Sequence, residues 1–455
     1  MSKETAQSLA GLLFCLSAQV VAAPPVHEFT LDNGLKLIVQ EDHRAPVVVS
    51  QVWYKVGSSY ESFGNTGVSH ALEHMMFKGT IQHAPGDFSR IISENGGEEN
   101  AFTGDDYTAY FQKLAKSRLS ISFELEADRM RNLTLPKEEF EKEIKVVIEE
   151  RRLRTDDKPE GLLQEAAMAT AFQTSPYRNP IIGWMADLER MTVEDLRAWY
   201  QRWYAPNNAT VVVVGDIDPE AVHQLARKYF GPLAAETRPP VTLPVEVPQR
   251  GTKRVTVRVP AQIPNLLMAY KVPVLKTAVL NPKATPKEEV FALEVLAGIL
   301  DGGESARLNQ RLVRDQQIAA SAGASYDLVA RLDSLFILNG TPAQGQTVES
   351  LEKALRAEIK SLQDKPIEPK ELERVKAQVI AGNVYERDSI FYQAMQIGIL
   401  ETIGLPWRLK EEYVDNIRAV TAEQVQAAAR EYLIDDELTV AVLDPLSTKI
   451  QPKAP

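Results

Sequence analysis

The sequence predicts an α+β protein of two homologous domains, each a largely antiparallel sheet with helices packed on one face. Three observations carry this expectation. Residues 191–204 with 208–214, and residues 420–433 with 437–443, read alike at a constant offset of 229. In each copy a threonine suited to a helix N-cap (Thr192, Thr421) precedes a first-turn glutamate (Glu194, Glu423). An amphipathic helix, a turn and a β-branched strand then follow. One offset shared by helix, turn and strand argues for duplication over coincidence. The stretch between the copies, residues 236–250, is rich in proline and lacks helical period, so it reads as an extended linker. Both halves also open with strand patterns and continue with long helical ones. The expected domains are residues 23–235 and 251–455.

Taken in order, the chain begins with an apolar run over residues 9–23, preceded by Lys3 and ending in small residues. Val20 and Ala22 fit a signal-peptidase rule, which predicts a signal peptide over residues 1–22 and a mature start at Ala23. The run is too short to span a membrane, and no later stretch is suited to it, so no stable membrane insertion is expected. Export, to the periplasm or elsewhere, is the expectation; were the run an apolar first helix or a start-site artefact instead, the chain would be cytoplasmic. Cys15 is the single cysteine and lies in this leader. The mature protein then has neither a disulfide nor a cysteine-based zinc site.

Strands are expected over residues 27–39, around a turn at Asp32-Asn33-Gly34, then over 47–56 and 101–111. In the second half they are expected over 254–259 and 266–272. A 455-residue chain with 44% hydrophobic and 25% charged residues has the composition of a globular protein. Its net charge of −11, with no run of Lys or Arg, argues against a nucleic-acid partner.

The chemistry concentrates in His70-Ala71-Leu72-Glu73-His74, an H-x-x-E-H motif. On a helix, positions i, i+3 and i+4 share a face. Two imidazoles can therefore meet one metal ion with a carboxylate beside them. Two of the chain's six histidines are here, and a chance match has odds on the order of 1%. The competing interpretation of the trio is a charged surface helix. At an offset of 221 the motif falls on Phe291-Ala292-Leu293-Glu294-Val295, so one half keeps the histidines and the other has apolar residues. A hydrolytic zinc site needs a third ligand and an open position for water. The charged segment 139–152 offers Glu143 and Glu150 on one face, with Glu149 about 100° away; spacing alone leaves the choice open. Glu73 is placed to take a proton from water and pass it to a leaving amine.

These segments resemble the pitrilysin/insulinase family of zinc peptidases over nearly the whole mature chain. Residues 68–80 are similar to the family's zinc helix, and Val146-Val147-Ile148-Glu149-Glu150 to the segment bearing the third ligand. The resemblance implies one Zn²⁺ per chain held by His70, His74 and Glu150. It implies that Glu73 is the general base and that Glu143 supports the site. Asn100, Ala101, Phe102 and Thr103 resemble the strand whose edge accepts an extended peptide. Residues 302–308 resemble the glycine-rich segment of the second half. Single-chain members carry an Arg and, seven residues later, a Tyr that help hold substrate. Arg314 fits the first, but Ser321 occupies the second, with Tyr326 out of register. The implied protein is a zinc metalloendopeptidase acting on extended or unfolded peptides. A homologous partner with the Arg/Tyr pair would complete it as a heterodimer, or a second copy as a homodimer. The alternative is a non-catalytic or structural peptide-binding subunit; such members typically have a degraded motif, which is intact here.

Overall fold

The computed structural model describes residues 25–237, 242 and 244–446. The expected signal peptide lies outside them, as does part of the proline-rich segment. Two sheets organise the chain. The first contains β1 (Val26–Thr30), β2 (Lys36–Glu41), β3 (Val47–Tyr54), β4 (Glu98–Thr103), β5 (Thr108–Ala115) and β6 (Ala209–Gly215), in the order β1-β2-β6-β3-β5-β4. The second contains β7 (Lys253–Pro260), β8 (Asn265–Val272), β9 (Ala319–Tyr326), β10 (Ser334–Pro342) and β11 (Leu438–Leu446), in the order β7-β11-β8-β10-β9. Apart from β1, the second order repeats the first strand for strand. Each sheet has one parallel pair, β2 with β6 and β7 with β11, and is otherwise antiparallel. The last helix before each central strand is capped by the expected threonine: Thr192 forms a capping box with Asp195, and Thr421 with Gln424.

Every residue of β6 is buried, which explains its unbroken Val211–Val214 run: both faces of the sheet are covered. One face packs against helices of its own half, among them Val68–Met75 and Val193–Trp203. The opposite face receives a helix from the other half. Ala394 and Ile397 of the Ile390–Thr402 helix pack on Ile38, Val49, Trp53 and Val212. That helix approaches so closely that a Cβ on Gly398 would lie 2.0 Å from the Trp53 ring. In return, Leu163, Ala167 and Ala171 of the Pro159–Ala171 helix pack on Leu267, Ala269, Ala441 and Leu443 of the second sheet. This exchange of helices is absent from the local sequence pattern, because amphipathic periodicity shows that a face is buried but not against what.

One strand differs from expectation. Residues 101–111 form a hairpin rather than a single strand: β4 and β5 are joined through Gly104–Asp105–Asp106–Tyr107, closed by Gly104 N–H donating to Tyr107 O (2.8 Å). Glycine followed by two aspartates is turn chemistry. The hairpin makes β4 the sheet edge. No helix among the described residues is long and apolar enough to cross a membrane.

Candidate metal centre

The Val68–Met75 helix starts at Gly67, whose φ of +84° suits glycine. The Glu61 carboxylate accepts from the Gly67 and Ser69 backbone N–H groups (2.7 and 2.8 Å), capping orphan donors of the first turn. Gly183, with φ +90°, packs against this start; a Cβ there would lie 2.6 Å from Thr66 O. The buried Arg151, at the end of the Lys137–Arg151 helix, donates to Gly183 O (2.9 Å) and pairs with Glu165 (2.7 Å). The two helices that carry the candidate ligands are thereby tied through one loop. The second of them continues into a π-helical turn, Arg152–Asp156.

Where the helices meet, His70, His74 and Glu150 bring one donor atom each within 4.8 Å of one another. His70 Nε2 lies 3.8 Å from Glu150 Oε1, and His74 Nε2 lies 3.3 Å from Glu150 Oε2. Bonds of about 2.0–2.2 Å in a tetrahedron space zinc's ligand atoms by roughly 3.3–3.6 Å. The His74–Glu150 separation matches that spacing, the wider separations must close for a zinc ion to bridge all three, and the two imidazoles and one carboxylate are a hydrolytic donor set. Burial pushes His70 down to about 3, with His74 and Arg154 adding to the effect, so its ring is neutral as a ligand must be. Glu143 faces His74 Nδ1 at 2.9 Å and Lys78 Nζ at 2.6 Å. Burial acts to raise the Glu143 carboxyl, but the hydrogen bonds from Lys78 and His74 outweigh it and hold it below its ordinary value. An ionised Glu143 can only accept, so His74 donates from Nδ1 and leaves Nε2 for a metal.

Glu73 sits on the same helix face. Its Oε2 accepts from the Thr103 hydroxyl at 2.5 Å. Burial, with the Glu150 charge, raises its carboxyl above the ordinary value, against the Thr103 bond and the His74 charge. Glu149 is exposed and pairs with Arg152, away from the cluster.

The cleft over these residues has a volume of about 750 Å³. Asn100, Ala101, Phe102 and Thr103 of β4 form one wall; Tyr177 and Asn179–Ile182 contribute to another. Side chains on β4 alternate: Thr103 reaches Glu73, while Phe102 packs on Trp53 (ring centroids 5.4 Å apart) on the other face. Arg314 is not among the residues lining the cleft; it is exposed and pairs with Glu304. Ser321 lies on β9, and the Tyr326 hydroxyl donates to Pro273 O (2.7 Å). Two charges at the cluster escaped the sequence reading: Arg154, paired with Glu150 at 2.7 Å, and Lys78 beside Glu143. Spacing held a signal for both, since Arg154 is four residues after Glu150 and Lys78 four after His74.

Residues 36–184 match the family model described as insulinase (peptidase family M16), and residues 190–379 match the peptidase M16 inactive domain. The chain belongs to this peptidase family. Among its relatives, the zinc protease PqqE of Helicobacter pylori is 35% identical over 374 residues, which is 80% of this chain and 81% of that protein. YmxG of Bacillus subtilis, described as an uncharacterized zinc protease, is 24% identical over 92% of this chain and 98% of its own. The crystal structure of a protease from Helicobacter pylori superposes with a TM-score of 0.86 at 30% identity, covering 93% of this chain and 100% of that one. The periplasmic protease PqqL from Escherichia coli shares the fold, with a TM-score of 0.76 at 19% identity; 94% of this chain matches 49% of that one.

Proposed function

We propose that this chain is a zinc-dependent endopeptidase for extended or unfolded peptides, with His70, His74 and Glu150 holding one Zn²⁺. The observation that carries the proposal is the meeting of those three donors with Glu73 and a free strand edge around one cleft. When bound, zinc supplies Lewis-acid polarisation and brings the pKa of a water towards 7. Glu73 takes the proton of the attacking water and delivers it to the departing amine nitrogen. The Thr103 hydroxyl fixes one Glu73 oxygen, leaving Oε1 for that transfer. Glu143, held by Lys78, keeps His74 oriented. The outer edge of β4, at Asn100, Ala101, Phe102 and Thr103, aligns the peptide as an added strand.

Arg314 lies outside the cleft, Ser321 is on β9 and the Tyr326 hydroxyl is bonded to Pro273 O, so the second half's described residues do not bring an Arg and a Tyr seven residues apart into the cleft. We therefore assign that pair to a homologous partner in a heterodimer, or to a second copy. Export to the periplasm belongs to the same proposal. The test is Glu73→Gln, assayed with and without the partner. Zinc should remain bound while peptide cleavage falls about 10²–10⁴-fold. Retained cleavage would refute the role of Glu73. Wild-type chain that binds zinc and peptide but never cleaves, with partner present, would favour a non-catalytic peptide-holding subunit.

A further inference from the structure

The β4–β5 turn is gripped by the half of the molecule that has no metal ligands. Arg331, in the loop between β9 and β10, is almost fully buried. Its Nε donates to Asp106 Oδ1 (3.0 Å) and its backbone N–H to Asp106 Oδ2 (3.0 Å). Its guanidinium also donates to Ser59 Oγ (2.7 Å) and Ser59 O (3.2 Å), and lies 4.0 Å over the Tyr60 ring. The Tyr177 hydroxyl donates to Asp106 Oδ2 (2.5 Å) and accepts from the Arg331 and Leu332 backbone N–H groups (both 3.1 Å). Asp106 belongs to the turn three residues beyond Thr103, the hydroxyl partner of Glu73. Asp105 and Tyr177 line the cleft itself.

The first half already ties this turn down. Ser58 and Ser59 N–H groups donate to Gly104 O and Asp105 O (3.2 and 2.8 Å). Those bonds fix the turn against its own half. Tyr107 packs in the apolar cluster with Ala394 and Ile397 of the second half, and Arg331 adds directional polar contacts from that half, using both oxygens of a buried carboxylate. A guanidinium held on two elements at once has a defined position that a water-screened surface pair lacks.

We propose that Arg331 is a positioning residue: through Asp106 and Tyr177 the metal-free half sets where the peptide-aligning strand β4 sits over the cleft. This rests on the peptidase function proposed above. It gives the second half a task within the same chain, distinct from anything a partner supplies.

The test uses the full chain, with its partner where activity requires one, and Arg331→Met. For a peptide long enough to pair along β4, kcat/KM should fall about 10²-fold, mainly through KM, because a misplacement of about 1 Å costs that much. A minimal substrate that reaches only the cleavage centre should be cut at close to the wild-type rate, and zinc should remain at one per chain. Hydrogen exchange should quicken in β4 and at residues 104–107. Adding Asp106→Asn to the variant should cost little more than Arg331→Met alone. Unchanged cleavage of the long peptide by a folded, zinc-loaded variant would overturn the proposal. So would equal losses on both substrates. If wild-type chain cleaves nothing, the peptidase function fails and the exchange measurement alone decides: unchanged protection in β4 overturns positioning. If Arg331→Met does not fold, Asp106→Asn removes the charge that Arg331 grips and should show the same long-peptide bias at several-fold.

Discussion

In the first half, the helix packed over the sheet carries His70, Glu73 and His74; in the second, the equivalent Lys287–Asp301 helix carries Phe291, Glu294 and Val295. The strands beneath run in the same order, and a capped helix leads to the central strand in both. Phe291 and Val295 sit in the second core. Glu294 survives there without partners for chemistry: Tyr413 donates to it at 3.1 Å, and burial pushes its carboxyl up to about 7. One scaffold thus supports a polar cleft in one copy and close packing in the other. Chemistry follows from a few side chains and from the second helix that brings Glu150 across, rather than from topology.

Exchanging those side chains gives the largest expected effects. His70→Phe with His74→Val should take zinc from one per chain to none by metal analysis, with the fold retained in circular dichroism. The reverse pair, Phe291→His with Val295→His, should bind no zinc beyond the one assigned to His70, His74 and Glu150. Among the described residues only His70, His74 and Glu150 form such a cluster. It should cost roughly 2–5 kcal/mol in denaturant unfolding, since two imidazoles replace buried apolar groups. Capture of a second zinc by that variant would mean that the halves differ less than their cores suggest.

Glu150→Gln should weaken zinc binding by more than about 10²-fold, whereas Glu149→Gln should leave it unchanged in a chelator competition. Equal effects would remove Glu150 from the ligand set. A smaller change concerns the brace that the Val68–Met75 helix has at its start. Gly183→Ala puts a Cβ against Thr66 O and forces φ +90° on alanine. Stability should fall by roughly 1–3 kcal/mol, read as a lower Tm, with zinc affinity reduced alongside.

The smallest effect tests the second half's surviving glutamate. Its folded pKa, about 7, exceeds the unconstrained 4.5. The stability it contributes is fully present below 4.5 and is lost as pH rises through 7. Glu294→Gln keeps an acceptor for Tyr413 and removes the titration. It should stabilise the protein at pH 8 relative to pH 5, by at most about 3 kcal/mol, in paired denaturant titrations. A pH dependence identical to wild type would show that Glu294 is solvated.

Features local to one element were legible in the chain. The i, i+3, i+4 placement of His70, Glu73 and His74 follows from 3.6 residues per turn. Thr192 and Thr421 announced helix starts, and the duplicated strands showed in their β-branched runs. Residues 101–111 were less clear, because Gly104 and two aspartates turn a strand-like run into a hairpin and so create the edge strand.

What the sequence by itself determined, then, is the composition of the helix with His70, Glu73 and His74, the repeat, and the apolar identity of Phe291 and Val295. Spacing left open which carboxylate of residues 139–152 approaches His74, and the family resemblance pointed to Glu150. Tertiary structure is what brings it within 3.3 Å of His74 Nε2 and lets Thr103 reach Glu73. It also decided that each half covers the other's sheet with one helix and that Arg331 grips Asp106. The physical reason is one of range. Backbone hydrogen bonding fixes spacing within a helix or strand, so residue order suffices there. Contacts between elements separated by 30 to 225 residues depend on how two complete cores pack, which no single stretch of sequence contains.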